Sequence, residues 1–188
     1  MVHADSSSFA SGMSKKEVYA QVLEQARSLF DGQRNWERAW KYEFYGFCML
    51  TRLRRSASLL WHAYHSLPSP SSSVNWAGFY FTDPAKETRL LLGPFQGQVA
   101  CQSIAFGRGV CGTAAKEAKT QLVEDVDKFP GHIACDGKSR SEIVVPVVQD
   151  GKVVAIIDID CAELNGFTEE DQEALEELAE LLSQSCDF

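Results

Sequence analysis

The apolar positions of this chain change period near residue 74. Before that point they recur every three or four residues. Val18, Val22, Ala26 and Leu29 follow a Ser14-Lys15-Lys16-Glu17 capping box, and Leu53, Ala57, Leu60, Trp61 and Tyr64 precede Pro68 and Pro70. These patterns predict a helix closing near Asp31-Gly32 and a second running through Ser56 to His65, ended by prolines that cannot continue it. After the serine-rich joint Ser69 to Ser73 the pattern becomes strand-like. Trp76 to Thr82 and Arg89 to Gly93 read as a hairpin about the Asp83-Pro84 turn, with Gln98 to Phe106 and Thr120 to Val126 as further strand candidates. Between these two candidates the small residues of Val110 to Ala118 read as a helix, and Asp127 to Arg140 as a long loop. Glu142 to Val148 and Val153 to Ile159 are β-branched runs joined by Gln149-Asp150-Gly151-Lys152, where Asp-Gly is a hairpin signal. Thr168 then caps a last helix with the stripe Leu175, Leu178, Leu182 and acids in its first turn. The order predicts an α+β fold, a mainly antiparallel central sheet with N- and C-terminal helices packed on it.

Two segments stand outside this pattern. Residues 1–13 are small and polar and read as a disordered leader, leaving 14–188 as one domain, which suits a chain of 188 residues. Residues 33–55 interleave Arg34, Arg38, Lys41, Arg52, Arg54 and Arg55 with Trp36, Trp40, Tyr42, Phe44, Tyr45 and Phe47. Basic residues among aromatics suit a nucleic-acid surface, or else a loosely packed insertion. The net charge of −8 and pI near 5.0 favour the insertion and argue against nucleic acid or an anionic membrane as partner. Much of that charge is local, since Glu163 to Phe188 holds nine acids and no lysine or arginine. No apolar run approaches the roughly 20 residues of a membrane span, and the N-terminus lacks a basic start and an apolar stretch. These features point to a cytoplasmic protein whose six cysteines are reduced thiols.

Three of those cysteines change the picture. Cys101, Cys111 and Cys135 lie outside any clear apolar periodicity, the last two in the glycine-rich stretches Gly107 to Gly112 and His132 to Gly137. Reactivity needs thiolate character and access. Cys135 has His132, Lys138 and Arg140 close in sequence, and Cys111 would gain from a helix N-terminus. Cys101, without an activating neighbour, suits a resolving thiol. A nucleophilic and a resolving cysteine together can reduce an oxidised substrate through sulfenic acid and disulfide. The competing reading is a structural zinc on Cys101, Cys111, His132 and Cys135, against which the spacing counts because no Cys-x-x-Cys knuckle is present. Cys48 and Cys186 read as inert hydrophobes, and Cys161 as a bystander at the mouth of a site. The acids add a second element. Asp158 and Asp160 end an apolar strand on one face, and Glu142 opens its hairpin partner. Glu142 lies eight residues before Asp150 and Asp158 eight after, so pairing brings them together. Three converging acids suggest a cation-binding or proton-donating pocket; a solvated sheet edge is the simpler alternative.

Asn75-Trp-Ala-Gly-Phe-Tyr80, Leu92-Gly-Pro-Phe-Gln-Gly97, Cys101, Gly107-Arg-Gly-Val-Cys-Gly112, His132-Ile-Ala-Cys-Asp136, Ser139-Arg-Ser-Glu-Ile-Val-Val-Pro146 and Asp158-Ile-Asp160 closely resemble the free methionine-(R)-sulfoxide reductases, which are GAF-domain enzymes. The resemblance covers roughly residues 14–32 and 56–182. It implies a GAF-like fold and reduction of free L-methionine-(R)-sulfoxide, with thioredoxin as reductant, no cofactor and no metal, and it allows a homodimer. It also implies Cys135 as nucleophile, Cys101 as resolving cysteine and Cys111 as an auxiliary thiol. Glu142, Asp158 and Asp160 match the family's substrate acids, Trp76 and Tyr80 its aromatic wall, and the backbone around Ile133, Ala134 and Cys135 its carboxylate site. The other class to weigh is a non-catalytic GAF sensor binding a small ligand or structural zinc. Residues 37–55 match nothing in that pattern. As a genuine insertion or an artefact of the gene model, they are expected to be irregular and loosely packed.

Overall fold

The computed structural model describes residues 9, 12–31, 45–132, 137–186 and 188. Helices α1 (Lys15–Asp31) and α2 (Tyr45–Ser66) come first. Strands β1 (Val74–Asp83), β2 (Lys86–Gly97) and β3 (Ser103–Ala105), helix α3 (Gly109–Glu117) and β4 (Gln121–Val123) follow. The chain ends with β5 (Ser141–Gln149), β6 (Lys152–Cys161) and α4 (Glu169–Ser185). The six strands form one sheet in the order β3-β2-β1-β6-β5-β4, with every neighbouring pair antiparallel. The α+β expectation holds.

Strand alternation sorts the sheet's side chains into two layers. Ala77 and Phe79 of β1, Ile143, Val145 and Val147 of β5, and Ala155, Ile157 and Ile159 of β6 pack with the apolar stripes of α1, α2 and α4. Trp76, Tyr80, Val144 and Ile156 face the other way and pack with α3. The helical layer is also tied by a buried polar network. Asp171, fully buried at the start of α4, accepts hydrogen bonds from Tyr19 Oη at 2.6 Å and from the Thr168 amide at 2.7 Å, and pairs with Lys15 Nζ at 2.7 Å. Tyr64 of α2 joins through its hydroxyl contact with Tyr19.

Several local expectations need correction. Helix α2 starts at Tyr45, so residues 45–55 are regular helix, and Arg52 and Leu53 are buried. The Arg52 guanidinium lies 5.9 Å above the Phe30 ring and donates to the Ser185 carbonyl at the end of α4. That basic residue therefore serves the interior, because a helix C-terminus presents unpaired carbonyls and a partial negative charge. Residues 37–44 lie outside the described residues. Most of the expected leader does too, although Phe9 is buried in the helical core. Only Ser103–Ala105 of the third strand candidate forms a strand, leaving 98–102 as a loop. The expected strand Thr120 to Val126 is confined to Gln121–Val123, followed by a 3-10 turn at Val126–Lys128.

Candidate functional site

On the sheet face opposite α1, α2 and α4 lies a cavity of about 320 Å³, at the small end of ligand pockets. Seven expected site residues line it: Trp76, Tyr80, Cys101, Cys111, Glu142, Asp158 and Asp160. Ile133, Ala134 and Cys135 lie outside the described residues. His132 and Ser139, which flank them, both line the same cavity.

Strand register assembles the floor. Asp160 is opposite Trp76 on one side and Glu142 on the other, and Asp158 is opposite Gly78 and Val144. Glu142 thus faces Asp160 directly, with Asp158 on the diagonal; pairing centred on Asp150 would have set it against Asp158. Gly78 makes room for the aromatic wall. A Cβ there would fall 2.4 Å from Phe95 Cβ and 2.7 Å from Trp76 Cη2. Trp76 consequently stacks on Phe95 at 5.4 Å between centroids and on Tyr80 at 6.0 Å. The polar edges of both rings hold the loop that carries Cys101. Trp76 Nε1 donates to the Gln98 carbonyl at 3.0 Å, and Tyr80 Oη to the Cys101 carbonyl at 3.1 Å.

Helix α3 lowers Cys111 onto the acids. It seats closely because Gly112 has no side chain; a Cβ would meet the Ala105 carbonyl oxygen at 2.3 Å. Cys111 Sγ donates to Glu142 Oε1 at 3.6 Å, and one ligand atom from each of Cys111, Glu142 and Asp158 lies within 4.8 Å of the others. All three residues are buried, and Asp158 Oδ1 has no hydrogen-bond partner.

These surroundings strengthen the hold of Glu142, Asp158, Cys111 and Tyr80 on their protons. Burial, then the Asp158 and Asp160 charges, hold the Glu142 carboxyl well above the usual range. Burial pushes Asp158 up to about 6. Burial and the Asp158 and Glu142 charges raise the Cys111 thiol far above its ordinary value. This corrects the expectation that Cys111 gains thiolate character from the helix N-terminus, because desolvation and two carboxyls outweigh a partial charge. Tyr80 is raised as well, first by burial and then by Asp158.

Cys101 is disulfide-bonded, whereas Cys111, Cys161 and Cys186 form no disulfide. In this state Cys101 offers no thiolate to the zinc set considered above. Cys161 is not at the mouth of the site. It follows Asp160 and so points to the opposite face, fully buried in the helical core. Arg108 and Ser139 are lining residues that the sequence did not assign. Both stood inside distinctive motifs, Arg108 between two glycines and Ser139 just before Glu142. Ser139 accepts a hydrogen bond from Asn75 Nδ2 at 3.1 Å, a contact between distant segments.

The GAF domain family matches residues 59–185. The free methionine-R-sulfoxide reductase of Saccharomyces cerevisiae is 49% identical over 187 residues, 99% of this chain and 95% of its own. The free methionine-R-sulfoxide reductase of Escherichia coli is 38% identical across 92% of this chain and 90% of its own. The X-ray structure of free methionine-R-sulfoxide reductase from Neisseria meningitidis in complex with its substrate superposes with a TM-score of 0.78 at 36% identity, covering 93% of this chain and 92% of that one.

Proposed function

The chain belongs to the GAF-domain free methionine-(R)-sulfoxide reductases, and from that membership we propose how its residues divide the work of reducing free methionine-(R)-sulfoxide to methionine. One observation carries the division: Cys101, Cys111 and the acids Glu142, Asp158 and Asp160 share one cavity with both flanks of the Cys135 segment.

A sulfoxide sulfur becomes electrophilic when its oxygen receives a proton or a strong hydrogen bond. Glu142, buried and favouring its protonated form, is the donor. Asp158 and Asp160 hold the substrate ammonium. Arg108, the one lysine or arginine among the described lining residues, faces the carboxylate together with the backbone of residues 133–135. Trp76, backed by Phe95, and Tyr80 receive the terminal methyl group. A pocket that engages both ends of the amino acid discriminates against methionine within a chain, whose amides would leave buried charges unpaired.

The Cys135 thiolate attacks the sulfoxide sulfur as the oxygen is protonated. Methionine leaves, and Cys135 retains the oxygen as a sulfenic acid. The Cys101 thiol then attacks the Cys135 sulfur, water departs, and a Cys101–Cys135 disulfide remains. Thioredoxin in the cytoplasm returns two electrons and two protons by thiol–disulfide exchange. Bonding of Cys101 in this structure suits the oxidised end of that cycle. Cys111, held as a thiol by its surroundings, supports Glu142 rather than attacking.

The test is turnover of free methionine-(R)-sulfoxide with a thioredoxin system. Cys135→Ser is expected to abolish it, and activity surviving there removes the nucleophile. Cys101→Ser is expected to keep a single turnover and lose thioredoxin-supported recycling. Unchanged steady-state rates remove its resolving role.

A further inference from the structure

We propose that the floor of this cavity is also a binding site for a thiophilic divalent cation, Zn²⁺ being the natural candidate, held by Cys111 Sγ and one carboxylate oxygen each from Glu142 and Asp158.

The geometry comes first. The three ligand atoms lie within 4.8 Å of one another, and Cys111 Sγ is 3.6 Å from Glu142 Oε1. Tetrahedral zinc, with Zn–S of about 2.3 Å and Zn–O of about 2.0–2.2 Å, sets a sulfur and an oxygen ligand roughly 3.5 Å apart. The ligands come from three different packed elements, α3, β5 and β6, so the set is fixed by the fold and not by one mobile loop. They supply three protein ligands and leave further coordination open toward the cavity, as zinc accepts in sites that keep a free position.

A second observation is independent of that spacing. Asp158 lines the cavity, is only 5% exposed, and its Oδ1 has no hydrogen-bond partner. A buried, unpartnered carboxylate oxygen is costly and is a natural ligand for a cation. Among the described residues no lysine or arginine forms an ion pair with Glu142 or Asp158. One thiolate with two carboxylates selects Zn²⁺ or Cd²⁺ over Mg²⁺ or Ca²⁺, which prefer all-oxygen shells. An ion here occupies the acids that the reductase reading gives to substrate, so it inhibits by exclusion.

Binding is tested without turnover, so a protein that takes up no zinc overturns this inference and leaves the reductase reading standing. Tag-free protein in the disulfide form, where Cys101 cannot ligate, is dialysed to equilibrium against Zn²⁺ and titrated with Cd²⁺ in the ultraviolet. Wild type is expected to hold one equivalent, unaffected by excess Mg²⁺, and to show a Cd–thiolate charge-transfer band. Cys111→Ser loses the band and binds more than about 100-fold more weakly, beyond the roughly 10–100-fold cost of losing a mere supporting group. Asp158→Asn keeps the band but also weakens binding. The two variants change different elements, and unfolding midpoints check that each is folded. Stoichiometric binding undiminished in both, or no stoichiometric binding by wild type, overturns the site.

Discussion

Glu142 stands directly across the β5–β6 ladder from Asp160, and one extra residue puts it there. The Asp150-Gly151 turn, with φ of 51° and 77°, pairs Gln149 with Lys152. Carried unchanged along the hairpin, that register would set Glu142 opposite Ile159, on the face buried under the helices. The register shift between Val147 and Val148 moves the pairing by one residue and returns Glu142 to the face of Asp158 and Asp160. A one-residue slip exchanges the two faces of a strand, so this bulge is what makes three separate acids one cluster.

Glu142→Gln removes the proposed proton donor and preserves shape. A drop in kcat/KM of about 10²–10⁴-fold is expected for loss of a positioned general acid, with the unfolding midpoint at neutral pH no lower than wild type. Retention of near wild-type kcat/KM on free methionine-(R)-sulfoxide would assign proton delivery elsewhere.

The acids also give stability a pH dependence of unusual sign. Asp158 has a folded value raised from 3.8 to about 6. As pH rises through that window the unfolded chain releases this proton before the folded protein does, so stability is lost between about pH 4 and 6 and stays lost above it. The full effect is on the order of 3 kcal/mol, since each pH unit of that window costs about 1.36 kcal/mol. Asp158→Asn is therefore expected to become progressively more stable than wild type from pH 4 to 6, with a constant margin at higher pH. Denaturant unfolding of both proteins across that range measures it, and a pH-independent difference contradicts it.

Tyr80→Phe keeps the ring and removes only the hydroxyl that donates to the Cys101 carbonyl at 3.1 Å. Loss of one such hydrogen bond, about 1 kcal/mol, is expected to slow disulfide recycling about fivefold while single-turnover reduction and substrate KM hold. Stopped-flow measurement of the two half-reactions separates them. Equal slowing of both would mean that the hydroxyl serves the substrate and not the Cys101 loop.

Gly78→Ala drives a methyl into Phe95 and the Trp76 ring, at 2.4 and 2.7 Å. Overpacking of about 1–3 kcal/mol is expected, with a raised KM because the aromatic wall must shift. Wild-type stability and KM would show that the wall yields without loss.

The alternation of the strands, the stripes of the helices and the residues that line the cavity are largely legible in the chain's linear order. Local periodicity and motif order carry that information, and the matched motifs point to the family. How those groups meet is not written there. The parity of the β5–β6 pairing depends on a bulge in a uniformly β-branched run, Val147-Val148 against Val153-Val154, where no local signal marks the extra residue. The burial that keeps Cys111 protonated arises when α3 settles on the sheet, and it outweighs the helix terminus visible in the sequence. The same holds for α2, whose aromatic and basic first half looks irregular until Arg52 and Leu53 find partners in α1 and α4. A group's chemistry is written at its own position, but its protonation, partners and facing are set by residues far along the chain. Only the packed structure brings those together.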